Sequence, residues 1–421
     1  MGAPAAMKGW FASLLAALLV AALAIAGKAA ALPPVERLAL VSADLFQQAA
    51  PRPALDEPVQ IVDIDARSLR GLGQWPWPPS LLAELTDKVA GAGAAVIGFD
   101  LILSEPDQDA VFAGTIRRAP VVLGARPGVV GGGVKPAAKA GFAFAGEDPL
   151  RLAPSYPAAL TSAPELESAA AGLGSLGEEA DRDGVIRRMP LVERVGDAPY
   201  PGFVAEVLRV GLGAKSYIGR ATEPTDLRLG VPRGLAALRI GPLVIPTDEQ
   251  GRMWIAYSPI DRERWLSAAD VLAGRFDASE IRGRIVLVGS SAVSFGDRHA
   301  TPAGAEVPGI EIHAQAIDQA LAGWFLSRPA WATAAELLFI ALIAPAIAVA
   351  RHFSLLKSAI LVGYALAFAW GLAWWAFRSA HLLLDPFYPS VIILLVFASS
   401  AVLGDRRAAR QPRGKARWIS R

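Results

Sequence analysis

The chain has 421 residues, of which 53% are hydrophobic and 19% charged, with no cysteine and 41 Lys+Arg against 39 Asp+Glu; its mean hydropathy is +0.38. These values exclude a disordered chain, a disulfide scaffold, thiol catalysis and Cys-ligated zinc. The formal charge of +2 hides a basic tail, because Arg406, Arg407, Arg410, Arg413, Lys415, Arg417 and Arg421 face only Asp405 after Gly404; the rest is net acidic and gives no ground for nucleic-acid binding.

Residues 1–9 read as a short cytoplasmic N-terminus and 10–32 as a transmembrane anchor. Trp10 to Gly27 is an uncharged run of 18 residues, near the ~20 that a spanning helix needs. Ala29 and Ala31 would also suit signal-peptide cleavage, but the apolar run exceeds the usual ~7 to 15 residues, so a retained anchor is preferred.

From residue 33 to 328 the pattern changes. Val59 to Asp65, Ala94 to Ile102, Pro120 to Gly124 and Arg284 to Ser290 are near-continuous apolar runs, as in strands buried on both faces. Ser80 to Ala90 reads as a crossover helix capped by Ser80, which makes a βαβ unit with the first two runs. Val185 to Glu193, Leu238 to Pro246 and Arg252 to Tyr257 read as antiparallel strands, with a turn at Thr247 to Gly251. Pro201 to Val210 and Pro308 to Gly323 read as helices, the latter feeding directly into the next span. The expectation is an α/β domain with a mixed sheet, least defined over the Gly/Ala/Pro-rich residues 126 to 180.

Several motifs fail on context. Gly172, Gly174 and Gly177 have the dinucleotide-binding spacing, but no β-branched run precedes them and the acidic EEADRD follows. Asp181 and Asp183 sit beside Val185 and Ile186, where a calcium loop needs ligands; ion pairs with Arg187 or Arg188 are expected instead. Gly289-Ser290-Ser291 lacks the second glycine of a nucleophile elbow. Asp297, His299 and His313 could form a small metal site, but ordinary polar contacts are preferred, and no metal or cofactor is expected.

Three further spans are expected at 331–350, 358–377 and 382–404, followed by a basic cytoplasmic tail, 405–421. Lys8, Arg351, Lys357 and the tail then lie together on the cytoplasmic side, and the α/β domain lies outside. The complete fold is an α/β extracytoplasmic domain plus an all-α transmembrane bundle with one N-terminal and three C-terminal spans. Glu336 is expected to reach up to the interface, and the stripe Gly363, Ala367, Gly371 to pack within the bundle, with a homodimer seam as the alternative. The tail reads as a topological anchor able to touch anionic membrane lipid.

Seven blocks, in order, carry a family resemblance. They are Asp63-Ile64-Asp65 with Ser68 and Leu69; Gln74 to Pro78 (QWPWP); Ile97 to Asp100 with Ser104 to Asp107; Asp181 to Pro190; Ile245-Pro246 with Asp248 and Gly251; Ile285 to Ala292 with Asp297 and Thr301-Pro302; and Pro308 to Ala314. Together they resemble the CHASE2 extracellular sensor family over about residues 35 to 327. The resemblance implies an N-terminal span, an extracytoplasmic ligand-sensing domain and three spans leading to a cytoplasmic cyclase or kinase. Here only the basic tail follows Gly404, so signalling is expected to pass through a separate cytoplasmic or membrane partner, or through a homodimer.

Ligands in open α/β sheets bind beyond the carboxyl ends of the strands. This makes Asp63, Asp65, Asp100, Ser290 and Ser291 candidate ligand-binding residues if their strands are parallel neighbours, together with Asp297 and a wall of Trp75 and Trp77. The alternative is that the aspartates cap helices and satisfy loop amides while the tryptophans pack on the core. The expected function is a multi-pass receptor in a bacterial inner membrane that senses an unknown small-molecule or protein signal. A structural or accessory subunit that docks another protein is the runner-up, and an enzyme is least favoured, because no nucleophile or metal set accompanies the carboxylates.

Overall fold

A computed structural model describes residues 3–30, 32–54, 59–103, 109–128, 133–145, 148–222, 234–292 and 297–408. The described residues form two units: one up to Phe46 and from Arg328 onward, the other from Gln47 to Ser327.

The second unit is built on a seven-stranded sheet. Six strands run parallel in the order β15 (Trp265–Ser267), β1 (Val59–Asp63), β16 (Ile285–Gly289), β2 (Val96–Phe99), β3 (Val121–Pro127) and β7 (Gly172–Ser175); β6 (Ala159–Leu160) adds to β3 antiparallel. The apolar runs lack polar alternation because both faces are covered. Val59, Ile61, Val122 and Leu287 enter one core, while Val62, Ile97, Leu123 and Val288 enter the other. Helices α3 (Ala66–Leu72), α4 (Pro79–Gly91), α5 (Asp109–Arg118), α6 (Pro164–Ala169) and α8 (Ala268–Leu272) contribute to the second core. The first core takes α7 (Phe203–Gly211), α9 (Gly309–Ala322) and a sheet of β13 (Leu243–Pro246), β12 (Leu235–Ile240), β11 (Ser216–Ala221) and β4 (Gly141–Ala145). Smaller ladders join β10 (Ala198–Pro201), β9 (Val192–Val195) and β5 (Ser155–Tyr156); β14 (Arg252–Trp254) and β8 (Arg188–Pro190); and β17 (Arg298–Thr301) and β18 (Gly304–Pro308).

Several local expectations change. Ser80 does not cap α4: the helix starts at Pro79 behind Pro78 with no side-chain cap, proline's fixed φ suiting the first helical position. Leu238 to Pro246 is not one strand, because Gly241 (φ 55°) turns the chain between β12 and β13. α9 does not feed directly into a span: Gly323 closes it in the left-handed conformation, and Trp254 bridges Leu326 before the next helix. Arg187 and Arg188 form the expected ion pairs, Arg187 at 3.0 Å from Asp181 and 2.8 Å from Asp183, with Arg188 also contacting Asp181.

The first unit contains α1 (Ala3–Ala29), most of α2 (Pro33–Ala49), α10 (Ala332–Phe353), α11 (Leu355–Ala380) and α12 (Phe387–Ala408). Ala17, Ala21 and Ala24 of α1, Ile340, Ala344 and Ile347 of α10, Val362 of α11 and Ile393 of α12 share one core. Among the described residues α10 and α11 are each long and apolar enough to cross a membrane; α1 and α2 pass only as a pair bent by 82°. Glu336 is buried and bonds Arg328 at 2.8 Å, Lys28 at 3.2 Å and the Asp385 amide at 2.9 Å. The small-residue stripe does not pack within the bundle. Gly363, Ala367 and Gly371 are exposed, and a Cβ at either glycine would meet nothing within 4 Å.

Candidate functional site

Because β1, β16, β2, β3 and β7 are parallel, their carboxyl ends emerge along one edge of the sheet. A cavity of about 230 Å³ opens there, lined by Trp75, Asp100, Leu101, Ile102, Arg126, Leu176, Glu178, Ser290, Asp297 and His313. Each lining residue follows from the topology. Asp100 comes directly after β2 and Ser290 after β16, Glu178 lies three residues past β7, Arg126 is on β3, and α9 carries His313 in from the other side.

Four of the eight sequence-derived candidates line this cavity: Trp75, Asp100, Ser290 and Asp297. The other four shape its frame. Asp63 accepts hydrogen bonds from the Ser291 amide (2.8 Å) and hydroxyl (2.6 Å), tying the ends of β1 and β16 together; burial nonetheless holds its carboxyl above the usual range. Asp65 caps α3 by accepting from the Ser68 amide at 2.6 Å and also accepts from the Ser267 hydroxyl. Trp77 is buried with its indole N–H on the Gly73 carbonyl, and its ring centroid lies 6.2 Å from that of Trp75.

The cavity wall is a chain of carboxylates and imidazoles. Asp100 meets His313 Nδ1 at 3.0 Å, and His313 Nε2 lies 3.7 Å from one oxygen of Glu178. The other oxygen of Glu178 lies 2.8 Å from His299 Nε2, which is 2.9 Å from Asp297. Hydrogen bonds first to Asp297 and then to Glu178 push the His299 pKa up to about 10. Complete burial opposes charge on His313, but the Asp100 carboxylate carries its pKa up to about 9. Burial also works against the charged form of Asp297, yet the hydrogen bond with His299 holds its carboxyl below the usual range. The Ser290 hydroxyl, which also lines the cavity, donates to the Ile64 carbonyl at 2.7 Å. Such a cavity offers three carboxylates, an arginine, an imidazole and an indole face to a small polar ligand.

Sequence reasoning missed Glu178 and Arg126. Glu178 belongs to an acidic stretch that served only to exclude a dinucleotide loop, and β7 before it has no β-branched residue. His299 and His313 were grouped with Asp297, but nothing in their spacing pointed to Glu178 as the link between them. The Ser104 to Asp107 block lies outside the described residues, as do residues 409–421 of the tail.

A family model described as the CHASE2 domain matches residues 15–349. Comparison with curated proteins and with solved structures gives no match.

Proposed function

This chain belongs to the CHASE2 domain family, a family of extracellular sensor domains, and from that premise we propose that it is a membrane-anchored sensory receptor. Its outer domain faces the periplasm of a bacterium, binds its signal at the carboxyl edge of the central sheet, and relays a change through the spans to a separate signalling partner. The observation that carries this reading is the cavity of about 230 Å³, whose wall gathers Asp100, Ser290, Asp297 and Trp75 with Glu178 and His313. Its size suits a small polar molecule or ion better than a peptide side. The reading assigns binding rather than catalysis, because the Ser290 hydroxyl is committed to the Ile64 carbonyl. A homodimer is the second route for the signal, supported by the outward-facing Gly363, Ala367 and Gly371 on α11. The basic tail completes the proposal as a contact with anionic lipid on the cytoplasmic side.

A thermal-shift screen of the full chain in detergent, against amino acids, sugars, nucleotides and organic acids, run both with and without chelator, tests the reading. A true ligand at about 100 times its Kd stabilises by roughly 2.7 kcal/mol. The expected result is a hit in the wild type that disappears in both Ser290→Leu and Trp75→Ala variants. A hit of equal size in both variants would place binding elsewhere and overturn the cavity's role.

A further inference from the structure

The carboxylate and imidazole chain at the cavity has the composition of a metal centre. Glu178, Asp297 and His299 each offer a donor atom, and these atoms lie within 4.8 Å of one another. The Glu178 side chain is only 6% exposed and His313 only 2%. Glu178 Oε1 and His313 Nε2 face each other at 3.7 Å, and both are buried without a hydrogen-bond partner. Buried polar atoms in folded proteins are nearly always partnered, and a separation of 3.7 Å is too long for the two to partner each other. It is instead close to the spacing of two ligands around one cation, each bonded at about 2 Å.

The surroundings support those groups as ligands do. Asp100 holds His313 by Nδ1 at 3.0 Å, the carboxylate–histidine pairing that fixes a ligating imidazole's ring and leaves Nε2 pointing at the metal. The Asp297 carboxylate is seated against Gly309 at the start of α9, where any Cβ would collide with it. Its backbone carbonyl accepts from the Gly309 amide at 3.2 Å. The three carboxylates Asp100, Glu178 and Asp297 meet Arg126 at a single cavity, which leaves two negative charges for a divalent cation to match.

We propose that Glu178, Asp297 and His299 bind a divalent transition-metal ion of the zinc class, with His313 Nε2 as the neighbouring fourth donor. Mixed imidazole and carboxylate donors in this number suit Zn²⁺, Co²⁺ or Mn²⁺, whereas Ca²⁺ requires six to eight oxygens. The inference deepens the sensor reading, since Glu178, Asp297 and His313 line the same cavity; the ion is then the signal itself or the group that holds it.

The full chain in detergent, stripped with chelator and dialysed, is titrated with Co²⁺ while its visible absorption is followed, and with Zn²⁺ in competition with a chromogenic chelator. The expected result is one equivalent bound, with the intense ligand-field band of a four- or five-coordinate nitrogen and oxygen site. His299→Ala and Glu178→Gln weaken binding by more than the ~10- to 100-fold that loss of an outer-shell partner costs, and Asp100→Asn weakens it within that range. A weak, water-like Co²⁺ spectrum in the wild type overturns the proposal even if a variant fails to fold. So does Zn²⁺ affinity left unchanged by both ligand substitutions. An organic ligand that still binds in chelator while metal does not would defeat this inference and leave the sensor reading standing.

Discussion

Two carboxylates in the α/β unit show how position decides what an acidic side chain does. Asp65 caps α3 and touches no cavity, so Asp65→Ala should cost about 1 kcal/mol, the usual worth of an N-cap, while ligand or metal binding stays unchanged; chemical denaturation beside a binding titration checks both. Glu193 lies fully buried on β9, and burial foremost, opposed by a hydrogen bond with Ser175 and aided by Glu179 nearby, pushes its pKa up to about 8. The unfolded chain releases this proton near pH 4.5 and the folded chain only near pH 8. The folded state therefore holds the extra proton between those values, and stability contributed by Glu193 is full below pH 4.5 and is lost as pH rises to 8. Glu193→Gln should flatten this slope and raise stability at pH 8.5, by about 5 kcal/mol at most, measured as the melting temperature across pH 5 to 9.

At the scale of elements, legibility followed side-chain chemistry. The runs at β1, β2, β3 and β16 were readable because strands covered on both faces leave uninterrupted apolar sequence. The strand β7 was not, since Gly172-Leu173-Gly174-Ser175 has neither bulk nor alternation. Its glycines are there for close packing of α7: a Cβ on Gly174 would sit 2.6 Å from Phe203 Cα, and one on Gly172 would sit 2.6 Å from a Glu206 oxygen. Gly174→Ala should therefore destabilise the domain by about 1 to 3 kcal/mol through a clash with backbone that cannot swing aside; a shifted denaturation midpoint with unchanged slope would show it. Half of the candidate site was legible for the same reason. Asp100 and Ser290 end readable strands, and Asp297 was named with His299 and His313, whereas Glu178, which links the two histidines, follows the unreadable strand.

For the whole molecule, the chain belongs to a family of extracellular sensor domains and carries two helices, α10 and α11, long and apolar enough to cross a membrane. Relay through a dimer has a direct test because the chain contains no cysteine. A single Ala367→Cys on the outward small-residue face of α11 should crosslink to its own copy in native membranes, while Leu338→Cys, on an exposed position of α10, should not. Equal yields from both positions would remove α11 as the seam. The central claim, that the signal binds at the carboxyl edge of the sheet, is tested most directly by calorimetric titration of a screened ligand into the full chain and into Ser290→Phe, which fills the cavity. The account predicts measurable binding heat in the wild type and at least a 100-fold weaker Kd in the variant, about 2.7 kcal/mol, with both proteins folded. The same Kd in both would contradict it.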